Sequence, residues 1–105
     1  MKNIKPIKPS DQQAKQWLKD AAQGKRRLLF SPHAELRMRQ RKIGRTQVLE
    51  TLERGIISEP LHTDIHGDWC CNVNWRYAGL HVTVGVVFKL HENGEWVIIA
   101  TVFER

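Results

Sequence analysis

The chain has 105 residues, of which 41% are hydrophobic and 27% charged, and a formal net charge of +6. That length and composition predict one globular domain with a single core and exclude a disordered or fibrous chain. No apolar run approaches the roughly 20 residues of a membrane helix, and Met1 to Ser10 carries lysines without the apolar core of a signal peptide. The expectation is a cytoplasmic protein with no membrane contact. Cys70 and Cys71 are adjacent, and neighbouring side chains on a strand point to opposite faces, so no disulfide framework is expected.

The charge is unevenly placed. Residues 1 to 54 hold 14 of the 17 Lys and Arg residues and 5 of the 11 acids, which makes the first half strongly basic and the second mildly acidic. Such asymmetry suggests a surface for a polyanionic partner, either nucleic acid or an acidic protein, more than general solubility, with a merely solvated basic face as the alternative.

In chain order, Met1 to Pro9 has no period and reads as a weakly docked arm. Ser10 with Gln13 three residues on resembles a capping box, and Ala14, Trp17, Leu18 and Ala21 give an amphipathic helix that should stop before Gly24. Lys25-Arg26-Arg27 forms a basic linker, and Leu28-Leu29-Phe30 is a short extended piece. Ser31 is then an N-cap with Pro32 at the first helical position. In the helix that follows, His33, Arg37 and Arg41 fall four apart on one ridge, and Ala34 and Met38 form the apolar ridge beside it. Ile43-Gly44 breaks this helix. Val48, Leu49 and Leu52 face the core from a third helix, closed by Gly55, in which Arg45 opposes the macrodipole and so points to a surface role. Ile56-Ile57-Ser58 is a short strand stopped by Pro60, followed by a polar loop from Leu61 to Asp68.

From Trp69 the period becomes two. A two-residue turn at Ala78-Gly79 sets Tyr77 opposite Leu80, Trp75 opposite Val82 and Arg76 opposite His81. A type I′ turn at Asn93-Gly94, within Glu92 to Glu95, sets Val86 opposite Thr101, Val84 opposite Phe103 and Thr83 opposite Glu104. One face then gathers Trp69, Cys71, Val73, Trp75 and Tyr77 with Leu80, Val82, Val84, Val86, Phe88 and Leu90, and with Val97, Ile99, Thr101 and Phe103. The helices must cover it. Asn72, Asn74, Arg76, His81, Thr83 and Glu104, with Val87, Trp96 and Ile98, fall on the other. The predicted fold is α+β, with N-terminal helices on one face of a twisted antiparallel meander.

For chemistry, His62, Asp64, His66 and Asp68 alternate, with Cys70 just beyond. The spacing permits a metal without specifying one, and no metal or other cofactor is expected. No nucleophile elbow, phosphate-binding glycine loop or CxxC pair is present. What remains is acid and base work by His33 or His81, with arginines neutralising a phosphate. RNA supplies its own nucleophile in the 2′-OH.

The run Phe30 to Ile43, with Val48 and Leu52 after it, resembles the opening signature of the bacterial and phage family called domain of unknown function 4258. Leu80 to Val84 and Val97 to Phe103 are similar to that family's last two strands. The resemblance covers about residues 30 to 104, makes residues 1 to 29 an extension with one helix, and marks His33, Arg37, Met38, Arg41 and Thr101 as recurrent positions. It implies distant kinship with small toxin ribonucleases of the barnase, RelE-like and BrnT type. Gly44 departs from the usual Ser-like cap. On these grounds the expected function is metal-independent RNA cleavage by a toxin with an antitoxin protein as partner. The expected catalytic residues are His33, Arg37, Arg41, His81 and Thr101, and the expected RNA contacts are Lys25, Arg26, Arg27, Arg39, Arg45 and Arg76. A non-catalytic nucleic-acid-binding or partner-binding module is the alternative.

Overall fold

The computed structural model describes residues 9–77, 79–90, 92–93 and 96–103. The expected arm over residues 1–8, the turn positions Ala78, Gly94 and Glu95, and Glu104 lie outside the described residues. Three helices and five strands run in the order α1 (Asp11–Ala22), β1 (Leu28–Phe30), α2 (Pro32–Arg41), α3 (Arg45–Arg54), β2 (Ile56–Thr63), β3 (Trp69–Tyr77), β4 (Leu80–Leu90) and β5 (Trp96–Phe103). The fold is α+β. No helix among the described residues is long and apolar enough to cross a membrane.

Local sequence explains each helix start. The Ser10 hydroxyl accepts from the Gln13 N–H and the Ser10 N–H donates to Gln13 Oε1, both at 3.1 Å, completing the capping box of α1. The Ser31 hydroxyl accepts from the Ala34 N–H at 3.0 Å, and α2 ends on Lys42 in the left-handed conformation, φ 56°. At α3, Gly44 has no side chain to offer, but Gln47 Oε1 accepts from its N–H at 2.8 Å. Gly55 closes α3 in extended rather than left-handed backbone, φ −74° and ψ 174°. Space requires the glycine there: a Cβ would lie 2.5 Å from the Thr51 carbonyl oxygen and 2.6 Å from that of Asn74.

The strands form one sheet in the order β1-β5-β4-β3-β2. It is mixed rather than a pure meander, because β1 pairs with β5 in parallel, Leu28 to Ile98 through Phe30 to Ala100. β2 does not stop at Pro60 but continues to Thr63, with register shifts on either side of Glu59. Proline is tolerated because β2 is an edge strand, where a missing N–H forfeits no ladder bond. The β3–β4 register is as expected, Trp75 opposite Val82 and Arg76 opposite His81.

The β4–β5 register differs from expectation by one residue. Val86 faces Ala100, Gly85 faces Thr101, Val84 faces Val102 and Thr83 faces Phe103, and the last pair is Leu90 with Trp96. The connection therefore spans five residues instead of the two of a type I′ turn. A one-residue slip exchanges the faces of a strand. Ile98 and Ala100, both fully buried, join Val82, Val84, Val86, Phe88, Val73 and Cys71 on the covered face. Ile99 and Thr101 move to the open one. Ala14, Leu18 and Ala21 of α1 and Val48 and Leu52 of α3 complete the core, with Trp17 tilted against Phe88 at 5.7 Å between centroids.

Candidate nucleic-acid interface and neighbouring sites

Lys25, Arg26 and Arg27 are carried by the linker before β1, Arg37, Arg39 and Arg41 by α2, and Arg45 by the start of α3. Arg27 is anchored by its carbonyl, which accepts from the Ile98 N–H at 3.1 Å. The three residues of β1 carry the chain about 10 Å from the Lys25–Arg27 cluster to Ser31. The Ser31 N–H donates to the Ala100 carbonyl at 3.1 Å. That bond fixes the start of α2 on β5, and Ala34, fully buried, with half-buried Met38, turns the apolar ridge inward. The polar ridge is turned outward: His33 and Arg41 are exposed and Arg37 half-buried.

Two guanidinium groups of this region rest on aromatic faces. Arg26 lies 5.2 Å from the centroid of Trp17, and Arg45 lies 4.7 Å from that of Phe30. Both geometries are cation–π contacts that hold the side chain against a ring. The misfit of Arg45 at the N-terminus of α3 thus has a structural reason. Among the described residues, Lys25, Arg27, His33, Arg37 and Arg39 make no side-chain hydrogen bond or ion pair. Cations without an anionic partner are the groups that a polyanion would engage.

The remaining expected site residues lie elsewhere. His81 faces Arg76 across β3 and β4 on the open face, beside Asn74, whose Oδ1 accepts from the Thr83 hydroxyl at 2.6 Å. Thr101, expected on the covered face, lies on the open face, where its hydroxyl donates to the Gly85 carbonyl at 3.3 Å. It lines a cavity of about 260 Å³ with Glu59, His62, Cys70 and Asn72. His81 and Thr101 now share a face, but His81 is four residues along β4 from the partner of Thr101, about 14 Å. His33, on a helix docked against β5, belongs to neither group.

The polar loop is held by its own backbone. Asp64 Oδ1 accepts from the N–H groups of His66 and Asp68 at 2.9 and 3.0 Å, while Asp68 pairs with Lys89 at 3.1 Å. Burial pushes the Asp64 carboxyl up, but these two N–H donors, with the charges of His66 and Lys89, outweigh it and hold the pKa below the ordinary value. His62 Nδ1 bonds the Pro60 carbonyl at 2.9 Å. Among the described residues, no three His, Cys, Asp or Glu side chains are grouped to hold a metal ion. Both cysteines are free thiols. Burial, then the carboxylates of Asp64, Glu59 and Asp68, raises the pKa of Cys70. Burial above all pushes Cys71 up to about 12. Neither is an activated nucleophile.

Residues missed from the sequence are Arg54, Ile56 and Trp75, which line a cavity of about 420 Å³ with Asn74, Arg76 and His81. The available signal was the Arg54-Gly55 pair, a cation followed by the residue that allows close approach to another backbone.

The family described as "Domain of unknown function (DUF4258)" matches residues 30–104. No curated protein and no solved structure matches the chain.

Proposed function

The chain belongs to the family of the domain of unknown function 4258, and for this member we propose RNA binding through the edge formed by β1, α2 and the start of α3. The observation that carries the reading is that Lys25 and Arg27 in the linker and Arg37 and Arg39 on α2 have no anionic partner among the described residues, while Arg26 and Arg45 rest on aromatic rings. Guanidinium groups match phosphate oxygens in planar pairs.

Titration of labelled single-stranded RNA at several salt concentrations tests this. Four phosphate contacts predict a logarithmic salt slope near −3, since each contact on a single strand contributes about −0.7. Arg37→Ala and Arg39→Ala should each reduce the slope by about one contact. Binding that is insensitive to salt, or unchanged in both variants, overturns the proposal. Tighter binding of an acidic protein than of RNA at the same edge would assign it to an antitoxin-like partner instead.

A second reading, metal-independent ribonuclease activity of the toxin type, is favoured by one relationship: His33 lies one helical turn from Arg37 on the outward ridge. A proton carrier beside a phosphate-holding guanidinium is the minimum for attack by the 2′-OH. On this reading His33 and Arg37 act, Arg41 extends the ridge, and His81 and Thr101 belong to other surfaces.

A further inference from the structure

The cavity at the end of the β3–β4 hairpin collects three groups that carry or can carry positive charge and none that carries a negative one. α3 ends at Arg54, and Gly55 then crosses β3 so closely that a Cβ would meet both the Asn74 carbonyl at 2.6 Å and the Val73 side chain at 2.8 Å. This close crossing delivers Arg54 beside Arg76 and His81, which are direct cross-strand partners with Cβ atoms about 5 Å apart. Among the described residues, none of the three side chains makes a hydrogen bond or ion pair. The carboxylates nearest in sequence are engaged elsewhere: Glu53 accepts from Gln23 at 3.3 Å and Glu59 from Asn72 at 2.7 Å.

Two further observations give the cavity a chemical character beyond charge. Trp75 lines it, and its indole nitrogen is buried without a hydrogen-bond partner among the described residues. A buried donor left unmade is costly, and native structures rarely keep one without a reason. Ile56, at the start of β2, is 64% exposed and forms an apolar lip on the same cavity. Two guanidinium groups, an imidazole, an amide, an indole and an isoleucine are the parts that recognise an anion carried on a flat, partly apolar body.

We infer that Arg54, Arg76 and His81 form a binding site for a nucleotide phosphate, in which the arginines hold the phosphate oxygens and the base packs against Ile56, at the strand end where Trp75 also lines the cavity. Arg–phosphate pairs are short, charge-assisted and geometrically selective. The site is built on β3, β4 and the end of α3 rather than on β1 and α2, so the inference goes beyond the RNA-binding proposal, and its failure would leave that proposal untouched.

The test uses uridine 5′-monophosphate, inorganic phosphate and uridine as separate probes, with calorimetry for affinity and the indole N–H resonances of ¹⁵N-labelled protein for location. The nucleotide should bind at least tenfold more tightly than either phosphate or uridine, and it should shift the Trp75 indole resonance. Arg54→Gln and Arg76→Gln should each weaken it at least tenfold, whereas Arg37→Ala should leave it unchanged. Comparing 5′-phosphorylated with 5′-hydroxyl pentauridylate distinguishes a free nucleotide from an RNA end, since only an RNA-end site prefers the phosphorylated oligomer over the mononucleotide. Should Arg76→Gln unfold, as thermal melts would reveal, Arg54→Gln and His81→Gln carry the comparison. Equal affinity for nucleotide and inorganic phosphate, wild-type binding by the Arg54 variant, or shifts confined to other indoles would overturn the assignment.

Discussion

Ser31 donates its backbone N–H to the carbonyl of Ala100 at 3.1 Å while its hydroxyl caps α2 through the Ala34 N–H at 3.0 Å. One residue thus ends the sheet edge and begins the basic helix. Its two bonds can be separated by mutation: Ser31→Ala keeps the first and removes the second. The expected loss is about 1 kcal/mol, read as a fall of roughly 4–8 °C in Tm for a domain of this size. A shift below one degree would show that the cap contributes nothing.

Neighbouring isoleucines test the register of β5. Ile98 is fully buried on the covered face, whereas Ile99 is half-buried on the open one. Ile98→Ala should cost about 2–5 kcal/mol, and Ile99→Ala distinctly less. Denaturant melts showing the reverse order would restore the pairing of Val86 with Thr101.

Gly55→Ala should be among the most damaging single-methyl additions to this chain. The contacts it would make are with two backbone carbonyls, which cannot swing aside as a side chain does. Overpacking of this kind costs about 1–3 kcal/mol. Gly44→Ala, where the nearest atom is Gln47 Oε1 at 4.0 Å, meets no such obstruction and serves as the comparison. Equal melting points for the two variants would contradict the tight crossing of α3 over β3.

The Cys71 thiol gives a pH dependence with a definite sign. Its pKa is raised from 9.0 to about 12 by burial first of all. An unfolded chain therefore loses the proton at lower pH than the folded one. The associated stability is complete below pH 9 and is lost as pH rises from 9 towards 12, at a slope of at most about 1.4 kcal/mol per unit. Cys71→Val should flatten that part of the stability profile. Prompt modification of Cys71 by iodoacetamide in the native protein at pH 8 would contradict the burial.

The two histidines distinguish cleavage from binding. If the protein cuts RNA through the α2 ridge, His33→Ala abolishes cleavage in EDTA and His81→Ala leaves it intact, because His81 lies on the open sheet face with Arg76. Equal loss in both variants would mean that the two sites act together. Persistence of cleavage in His33→Ala would end the ribonuclease reading of the ridge.

The helix starts at Ser10 and Ser31 and the β3–β4 pairing were legible in the sequence because each is decided locally, by a cap or by a tight turn. The register of β5 was not. Val97, Ile98, Ile99 and Ala100 are all apolar, so the alternation that would mark an inner face is absent, and the turn residues alone suggested a shorter loop than the five-residue connection found. The parallel placement of β1 was equally hidden, since three apolar residues carry no sign of their partner. The α2 ridge was legible in full. The cavity lined by Arg54 and Trp75 was not, because its residues come from the end of α3 and from three strands and meet only through the close crossing at Gly55.

β1 and β5 lie side by side although nearly the whole domain separates them in the chain. Closing so long a loop is entropically unfavourable and slow, and it has to precede the contacts that reward it. The hairpin of β3 and β4 can form early from local contacts alone. The basic edge cannot: α2 gains its anchor at Ala100 only after β5 has joined the sheet. Until then the arginines of α2 belong to a marginal ten-residue helix with no fixed orientation. The surface proposed to grip RNA thus depends on the longest-range pairing in the sheet, and a nascent or partly unfolded chain presents its positive charge without the geometry that gives it selectivity.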